Sequence, residues 1–303
     1  MSIALTAQPV AASPAEPAAP DEIGRLVVSC PDGPGIVALI SSFLYRQGAN
    51  ILQSDQFSTG SRGGRFMLRT EFQLGRVRER LPELERQFEF EVARRLRATF
   101  RVRAAATPAR VAIFVSRHDH CLLDLLWRQR RGELPIEVVT VISNHADLER
   151  DVAGFGTPFL HIPVNPAMKA EAELAQLDAV AGKVDLVVLA RYMQILSADF
   201  LDDVGVPVIN IHHSFLPAFA GAGPYERAKA RGVKLIGATA HYATEDLDEG
   251  PIIEQDVVRV SHKTGIRDLI RRGADIERSV LARAVDWHCA DRVFVDGSTT
   301  VVF

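Results

Sequence analysis

The stretch Val184-Asp185-Leu186-Val187-Val188-Leu189-Ala190 decides the fold of the larger part of the chain. Apart from Asp185 it is apolar throughout, so it reads as a strand buried on both faces. Strands of that kind belong to parallel sheets whose crossovers are helices. The neighbouring sequence supplies both. Residues 111–115, 136–142 and Pro207-Val208-Ile209-Asn210-Ile211 are further apolar strands, and residues 119–129 and 167–181 read as helices. The expected architecture over residues 108–303 is an α/β, Rossmann-like, mostly parallel sheet, with Pro108 marking the change of pattern. In such sheets ligands bind beyond the carboxyl ends of the strands. That rule points to the loops after Ala190 and Ile209.

Residues 22–105 read differently. Leu26-Val27-Val28 is a short strand ending at Cys30, and Pro31-Asp32-Gly33-Pro34-Gly35 breaks it and starts a helix. Ile36, Leu39, Ile40 and Phe43 recur at helical spacing before Gly48. Strands follow at 51–58 and 65–72, the second alternating Phe66, Leu68, Thr70 and Phe72 with Met67, Arg69 and Glu71, as for one buried face. A second helix (Val77, Leu81, Leu84, Phe88, Val92) and a strand at 99–103 complete a βαββαβ, ferredoxin-like order. This half resembles an ACT domain, a module that often binds amino acids. The Pro-Asp-Gly-Pro-Gly turn reads either as a plain helix start or as an effector site. For the second reading the residues are Asp32, Gly35 and Ile36.

Composition removes several function classes. A formal charge of −3 offers no basic excess for nucleic acid or anionic membrane. Cys30, Cys121 and Cys289 form no C-x-x-C pair, so neither a disulfide framework nor a thiolate metal site is expected, and a cytoplasmic location follows. Residues 1–21 are rich in Ala and Pro and are expected to be a disordered tail. No apolar run reaches membrane-spanning length.

The chemistry concentrates after residue 207. Asn210 and His212, at spacing two on a strand end, can point to the same side and aim an amide N–H and an imidazole at one developing oxyanion. Downstream, Gly237-Ala238-Thr239-Ala240-His241-Tyr242 precedes Asp248-Glu249-Gly250, a carboxylate on a turn before a β-branched strand. Singly, each is as well explained by a loop anchor or an ordinary turn. Together, Asn210-x-His212-x-Ser214-x-Leu216-Pro217, then His241, then Asp248 resemble the formyltransferase catalytic domain of enzymes that use 10-formyltetrahydrofolate.

That resemblance implies roles. Asn210 and His212 would polarise the formyl oxygen, Asp248 would handle protons through water, and His241 would support Asp248. Met193 and Leu196, in Arg191-Tyr192-Met193-Gln194-Ile195-Leu196, would hold the pterin, with Ser214 and His120 as further substrate-binding candidates. No metal or cofactor is implied, because the folate is itself the substrate. His120 and Cys121 diverge by about 100 degrees as helix neighbours, so they make no working thiol–imidazole pair.

The turn after the first catalytic strand, Ser116-Arg117-His118-Asp119-His120-Cys121, has no glycine with which to cradle a phosphorylated acceptor. The negative net charge does not suit a tRNA acceptor. Over residues 24–303 the chain resembles the formyltetrahydrofolate deformylase family, in which water takes the formyl group, formate feeds purine synthesis and one-carbon pools are balanced. Gly223, before Pro224-Tyr225, departs from the longer side chain expected there. Two alternatives stand beside hydrolysis: formyl transfer to a small amine, and a non-catalytic folate and amino-acid sensor. A homo-oligomer is expected from the ACT resemblance.

Overall fold

The computed structural model describes residues 22–60, 63–217 and 224–303. The expectations for the amino-terminal tail and for Gly223 lie outside the described residues. The chain divides into two compact units, the first ending at Ala106 and the second beginning at Thr107.

The first unit comprises β1 (Ile23–Pro31), α1 (Ile36–Arg46), β2 (Asn50–Ser58), β3 (Arg65–Gln73), α2 (Val77–Phe88), a π-turn that carries the helix on to α3 (Arg94–Leu96), and β4 (Thr99–Ala104). The strand order is β2-β3-β1-β4, and each neighbouring pair is antiparallel. This is the ferredoxin-like order expected. Leu26, Val28, Cys30, Phe66, Leu68 and Phe72 pack against Ile40, Phe43, Leu84 and Phe88 of the helices. One expectation is corrected. On β3 the opposite face is not solvated, because Met67 and Arg69 are buried as well. Arg69 can be buried because Glu71 lies 2.6 Å and Asp55 3.9 Å from its guanidinium.

The second unit comprises β5 (Ala109–Val115), α4 (His120–Arg130), β6 (Ile136–Ser143), α5 (Glu149–Ala153), β7 (Phe159–His161), α6 (Lys169–Val180), β8 (Leu186–Leu189), α7 (Ala198–Asp203), β9 (Val208–His212), α8 (Pro224–Arg231), β10 (Leu235–Tyr242), β11 (Ile252–Arg259), α9 (Ile266–Cys289) and the hairpin β12 (Val293–Asp296) and β13 (Thr299–Val302). A seven-stranded sheet runs β11-β10-β9-β8-β5-β6-β7. β5 to β9 are parallel, whereas β10 runs antiparallel to β9 and β11 antiparallel to β10.

β8 behaves as its apolar sequence requires. Leu186 and Val188 join the core under α4 and α9, while Val187 and Leu189 join the core under α6 and α7. The long helix α9 lays Val280, Leu281, Ala284 and Val285 over Ile209, Ile211, Ala238 and Ala240. β5 has β6 on one side and β8 on the other, so the crossovers part there and open a crevice at the strand ends. Ser116 bridges that crevice. Its N–H donates to the Arg191 carbonyl at 3.3 Å, and its hydroxyl accepts from the Met193 N–H at 3.0 Å.

Leu281 is fully buried between α9 and the sheet. Leu281→Ala is expected to cost roughly 2–5 kcal/mol by leaving a cavity, read as a lower urea midpoint. The exposed Leu174→Ala on α6 is expected to stay within about 0.5 kcal/mol. Equal midpoints for the two variants would contradict this packing.

Candidate active site

The polar centre is built by strand register. β9 runs on through His212, beyond the end expected at Ile211, because His212 still pairs with Thr239 of β10. Asn210 stands directly opposite His241. Along β9, Ile209 and Ile211 face the α9 core, which leaves Asn210 and His212 on the other side. Directly opposed side chains share a face, and Asn210 Nδ2 lies 3.1 Å from His241 Nε2.

The His241 ring is fixed by its other nitrogen. Nδ1 lies 2.9 Å from the Tyr242 carbonyl, which can only accept, so Nδ1 carries the proton. Nε2 therefore accepts from Asn210. Burial lowers the His241 pKa against the pull of that carbonyl and keeps the ring neutral. Asn210 retains one further amide proton for a ligand.

Asp248 arrives from the turn between β10 and β11 in a left-handed conformation, φ +61°. Asp tolerates this region better than most residues. Gly250 makes the turn possible: a Cβ there would lie 1.7 Å from the Tyr242 carbonyl oxygen. Asp248 Oδ1 stands 3.2 Å from His212 Nδ1 and 3.9 Å from His241 Nε2. Hydrogen bonding to His212 lowers the Asp248 pKa despite burial, so the carboxylate is ionised at neutral pH. His212 Nε2 is buried and has no hydrogen-bond partner among the described residues. A buried polar nitrogen without a partner carries a desolvation cost.

These groups line a cavity of about 290 Å³. Leu189, Ile195, Leu196, Leu201 and Leu247 give it apolar walls, and Asn210, His212, His241 and Asp248 converge on it. Apolar walls with a few convergent polar groups suit a flat organic ligand with one reacting carbonyl. The following segment, His213 to Pro217, is pinned from behind: Thr239 Oγ1 donates to the Ser214 carbonyl at 2.9 Å and accepts from the Leu216 N–H at 3.0 Å.

A second buried cluster backs the cavity. Glu277 of α9 lies among the apolar residues of that helix. Its Oε2 is 2.8 Å from His120 Nε2 and 3.5 Å from Arg191 Nε, and its Oε1 accepts from the Tyr225 hydroxyl at 2.7 Å. Gly273, one turn earlier, leaves room for that hydroxyl, which a Cβ would meet at 1.8 Å. Burial pushes the Glu277 carboxyl up, but His120, Arg191 and Tyr225 outweigh it and hold it at about 2. His120, Cys121 and Glu277 bring metal-type ligand atoms within 4.8 Å of one another. Glu277 is already engaged by the Arg191 cation, and burial keeps the Cys121 thiol protonated. The cluster is an ion-pair network.

The structure thus brings Asn210, His212, His241, Asp248, Met193 and Leu196 to one cavity. Ser214 is buried beside it, and His120 lies behind the wall on Glu277. Sequence reasoning missed Glu277 and Tyr225 as a pair. The available signal was a carboxylate at 277 on the apolar face marked by Ile276, Val280 and Leu281. In the first unit, Gly35 has φ +82°, Asp32 accepts from Ser58 Oγ at 2.7 Å, and Ile36 is in the core.

Two histidines predict the acid behaviour of this unit. Burial, then the Arg191 charge, lowers His213 to about 3, and burial also lowers His241. Their folded pKa values lie below the unfolded value of 6.5, so the unfolded chain takes up protons that the fold refuses. Stability is therefore full above about pH 6.5 and falls by up to roughly 1.4 kcal/mol per pH unit for each group below it. Urea midpoints at pH 7 and pH 5 should differ accordingly, and His213→Gln should reduce the difference. A midpoint that rises on acidification would contradict the buried neutral rings.

Residues 109–285 match the family described as formyl transferase. The chain is 59% identical over 282 residues to formyltetrahydrofolate deformylase of Mycobacterium bovis, covering 93% of this chain and 91% of that one. The crystal structure of formyltetrahydrofolate deformylase from Burkholderia mallei superposes with a TM-score of 0.87 at 43% identity, covering 93% of this chain and 99% of that one. Glycinamide ribonucleotide transformylase 1 from Symbiobacterium toebii superposes at 0.60 with 32% identity, over 65% of this chain and 95% of its own. Identity at this level over nearly the whole length, together with a matching fold in both units, places the chain among the formyltetrahydrofolate deformylases of the formyl transferase family.

Proposed function

We propose that the protein hydrolyses the N10-formyl group of 10-formyltetrahydrofolate to formate and tetrahydrofolate, with Asn210, His212 and Asp248 as the catalytic residues. The observation that carries this reading is the convergence of His212, an ionised Asp248 and a tautomer-fixed Asn210–His241 pair on one apolar cavity. The pterin lies against the 193–196 loop, so Met193 and Leu196 are binding residues and His241 is a positioning residue.

The geometry supports the following steps. Water, held by Asp248, attacks the formyl carbon and passes a proton to that carboxylate. The tetrahedral oxyanion accepts from the free Asn210 amide proton and, when His212 carries a proton on both ring nitrogens, from His212 Nε2, since Nδ1 already donates to Asp248. Collapse breaks the bond from carbon to N10, N10 takes the proton from Asp248, and formic acid leaves and ionises. Positioned oxyanion donors of this type are each worth roughly 10²–10³-fold, and general-base help roughly 10²–10⁴-fold.

Three finer points belong to the same reading. An amino-acid effector would approach at Gly35, where a Cβ would meet open space, with Asp32 and Ile36 beside it. A homo-oligomer is supported by edge strand β2, which exposes Ile51, Leu52 and Phe57. A cytoplasmic setting agrees with three buried cysteines that form no disulfide. Among the described residues no helix is long and apolar enough to cross a membrane.

The test is formate release with no acceptor present. Asn adopts φ near +60° readily, so Asp248→Asn should keep the turn and bind folate while losing about 10²–10⁴-fold in turnover. His212→Ala should lose roughly 10²–10³-fold. Undiminished formate release by Asp248→Asn would remove the proposed base. Because the carboxyl is held below its usual range, Asp248 should impose no loss of turnover between pH 8 and pH 5.

A further inference from the structure

Residues 191–197 lie between β8 and α7, form neither helix nor strand, and bring Met193 and Leu196 to the reaction cavity. Met193 is 54% exposed and Ile195 59%, so two apolar side chains are held open beside that cavity. An irregular segment samples many conformations unless it is tied down. Two of the ties run to α6. The Tyr192 hydroxyl accepts from Gln176 Nε2 at 2.8 Å, and Ser197 donates to Glu173 through its N–H at 3.0 Å and its hydroxyl at 2.6 Å.

Met193 is tied to a different element. The Ala190 N–H still donates to the Phe114 carbonyl at 2.8 Å, but Arg191, at φ +63°, then turns the chain out of the sheet. The Met193 N–H meets the hydroxyl of Ser116, just beyond β5, at 3.0 Å. That hydroxyl has one proton, which it donates to Asn144 Oδ1, 2.7 Å away and just beyond β6. Asn144 Nδ2 lies 3.4 Å from His145 Nε2, so the amide stands with its oxygen toward Ser116. The lone pairs of the hydroxyl are thereby left for the loop, and Asn144 makes Ser116 an acceptor on the Met193 side. Ser116 is 3% exposed and Asn144 8%, so water competes little for either bond.

We propose that Ser116 and Asn144 are positioning residues for the folate, resting on the reading above that the pterin lies against residues 193–196. The pair fixes the Met193 N–H, and with it that segment, before the ligand arrives. The reaction cavity is lined by Met193 and Leu196 but by neither Ser116 nor Asn144, so the pair acts through the loop and takes no part in the chemical steps. A segment ordered in advance spares the ligand the entropy of ordering it. The pair therefore sets affinity and leaves the rate of the bound substrate to Asn210, His212 and Asp248.

The experiment measures the Kd of tetrahydrofolate by titration calorimetry, beside KM and kcat for formate release, in Ser116→Ala, Asn144→Leu and the double variant. Urea midpoints confirm which variants are folded, and either single variant decides the matter alone. Each should raise Kd and KM by roughly threefold to tenfold, the size of one net hydrogen bond, with kcat within about twofold of the parent. Both changes break one relay, so the double variant should bind no more weakly than the weaker single one. A Kd within about twofold of the parent in the folded single variants would overturn the proposal. So would a fall in kcat at unchanged Kd, which would put the pair in the chemistry, or losses that multiply in the double variant. A parent protein that binds no tetrahydrofolate would instead sink the folate reading itself, which is a distinct result.

Discussion

β10 turns back against a sheet that is parallel as far as β9, and its register sets Asn210 across from His241 and His212 across from Thr239. Side chains alternate faces at every residue of a strand, so a slip of one position would carry Asn210 and His212 into the core and Ile211 into the cavity. The apolar pairing of Ile209 and Ile211 with α9 resists that slip. The hydrophobic effect thereby fixes the chemistry: residues that touch no substrate hold the polar ones within hydrogen-bond distance.

Asp248 and Glu277 do different work. Asp248 faces the cavity and answers mainly to His212, whereas Glu277 is enclosed and answers to His120, Arg191 and Tyr225. Burying an ion pair gives little net stability compared with apolar packing, but removing one partner strands the other at a high cost. Glu277 accordingly ties α4, α8, α9 and the loop after β8 to a single point. Arg191 and Asp248 both adopt left-handed backbone conformations. Conformational cost of this kind gathers where geometry is dictated by a site and not by local preference.

Much of this was legible in the sequence. The runs at 111–115 and 184–190 announce buried parallel strands, and the spacing of Asn210 and His212 announces a shared face. The ferredoxin-like order of the first unit followed from period-two and helical spacing, although Arg69 shows that a charged residue on an alternating strand need not be exposed. Other features were hidden for physical reasons. α9 carries many arginines on its outer face and interrupts its inner face with Gly273 and Glu277, so its apolar pattern is broken where the network passes. Glu277 is intelligible only beside residues distant in sequence, at 120, 191 and 225. The end of β9 was set by its neighbour β10 and not by its own residues.

α9 also has a bearing on how the protein is made. It is the last long element of the chain, and it covers the sheet face formed by Ile209, Ile211, Ala238 and Ala240. Synthesis runs from the amino terminus, and domains generally fold as units. Until α9 leaves the ribosome, the strands that carry Asn210 and His212 have no cover on that face and are a target for chaperones or for aggregation. The first unit ends near Ala106 with its own core complete, so it can fold long before that moment.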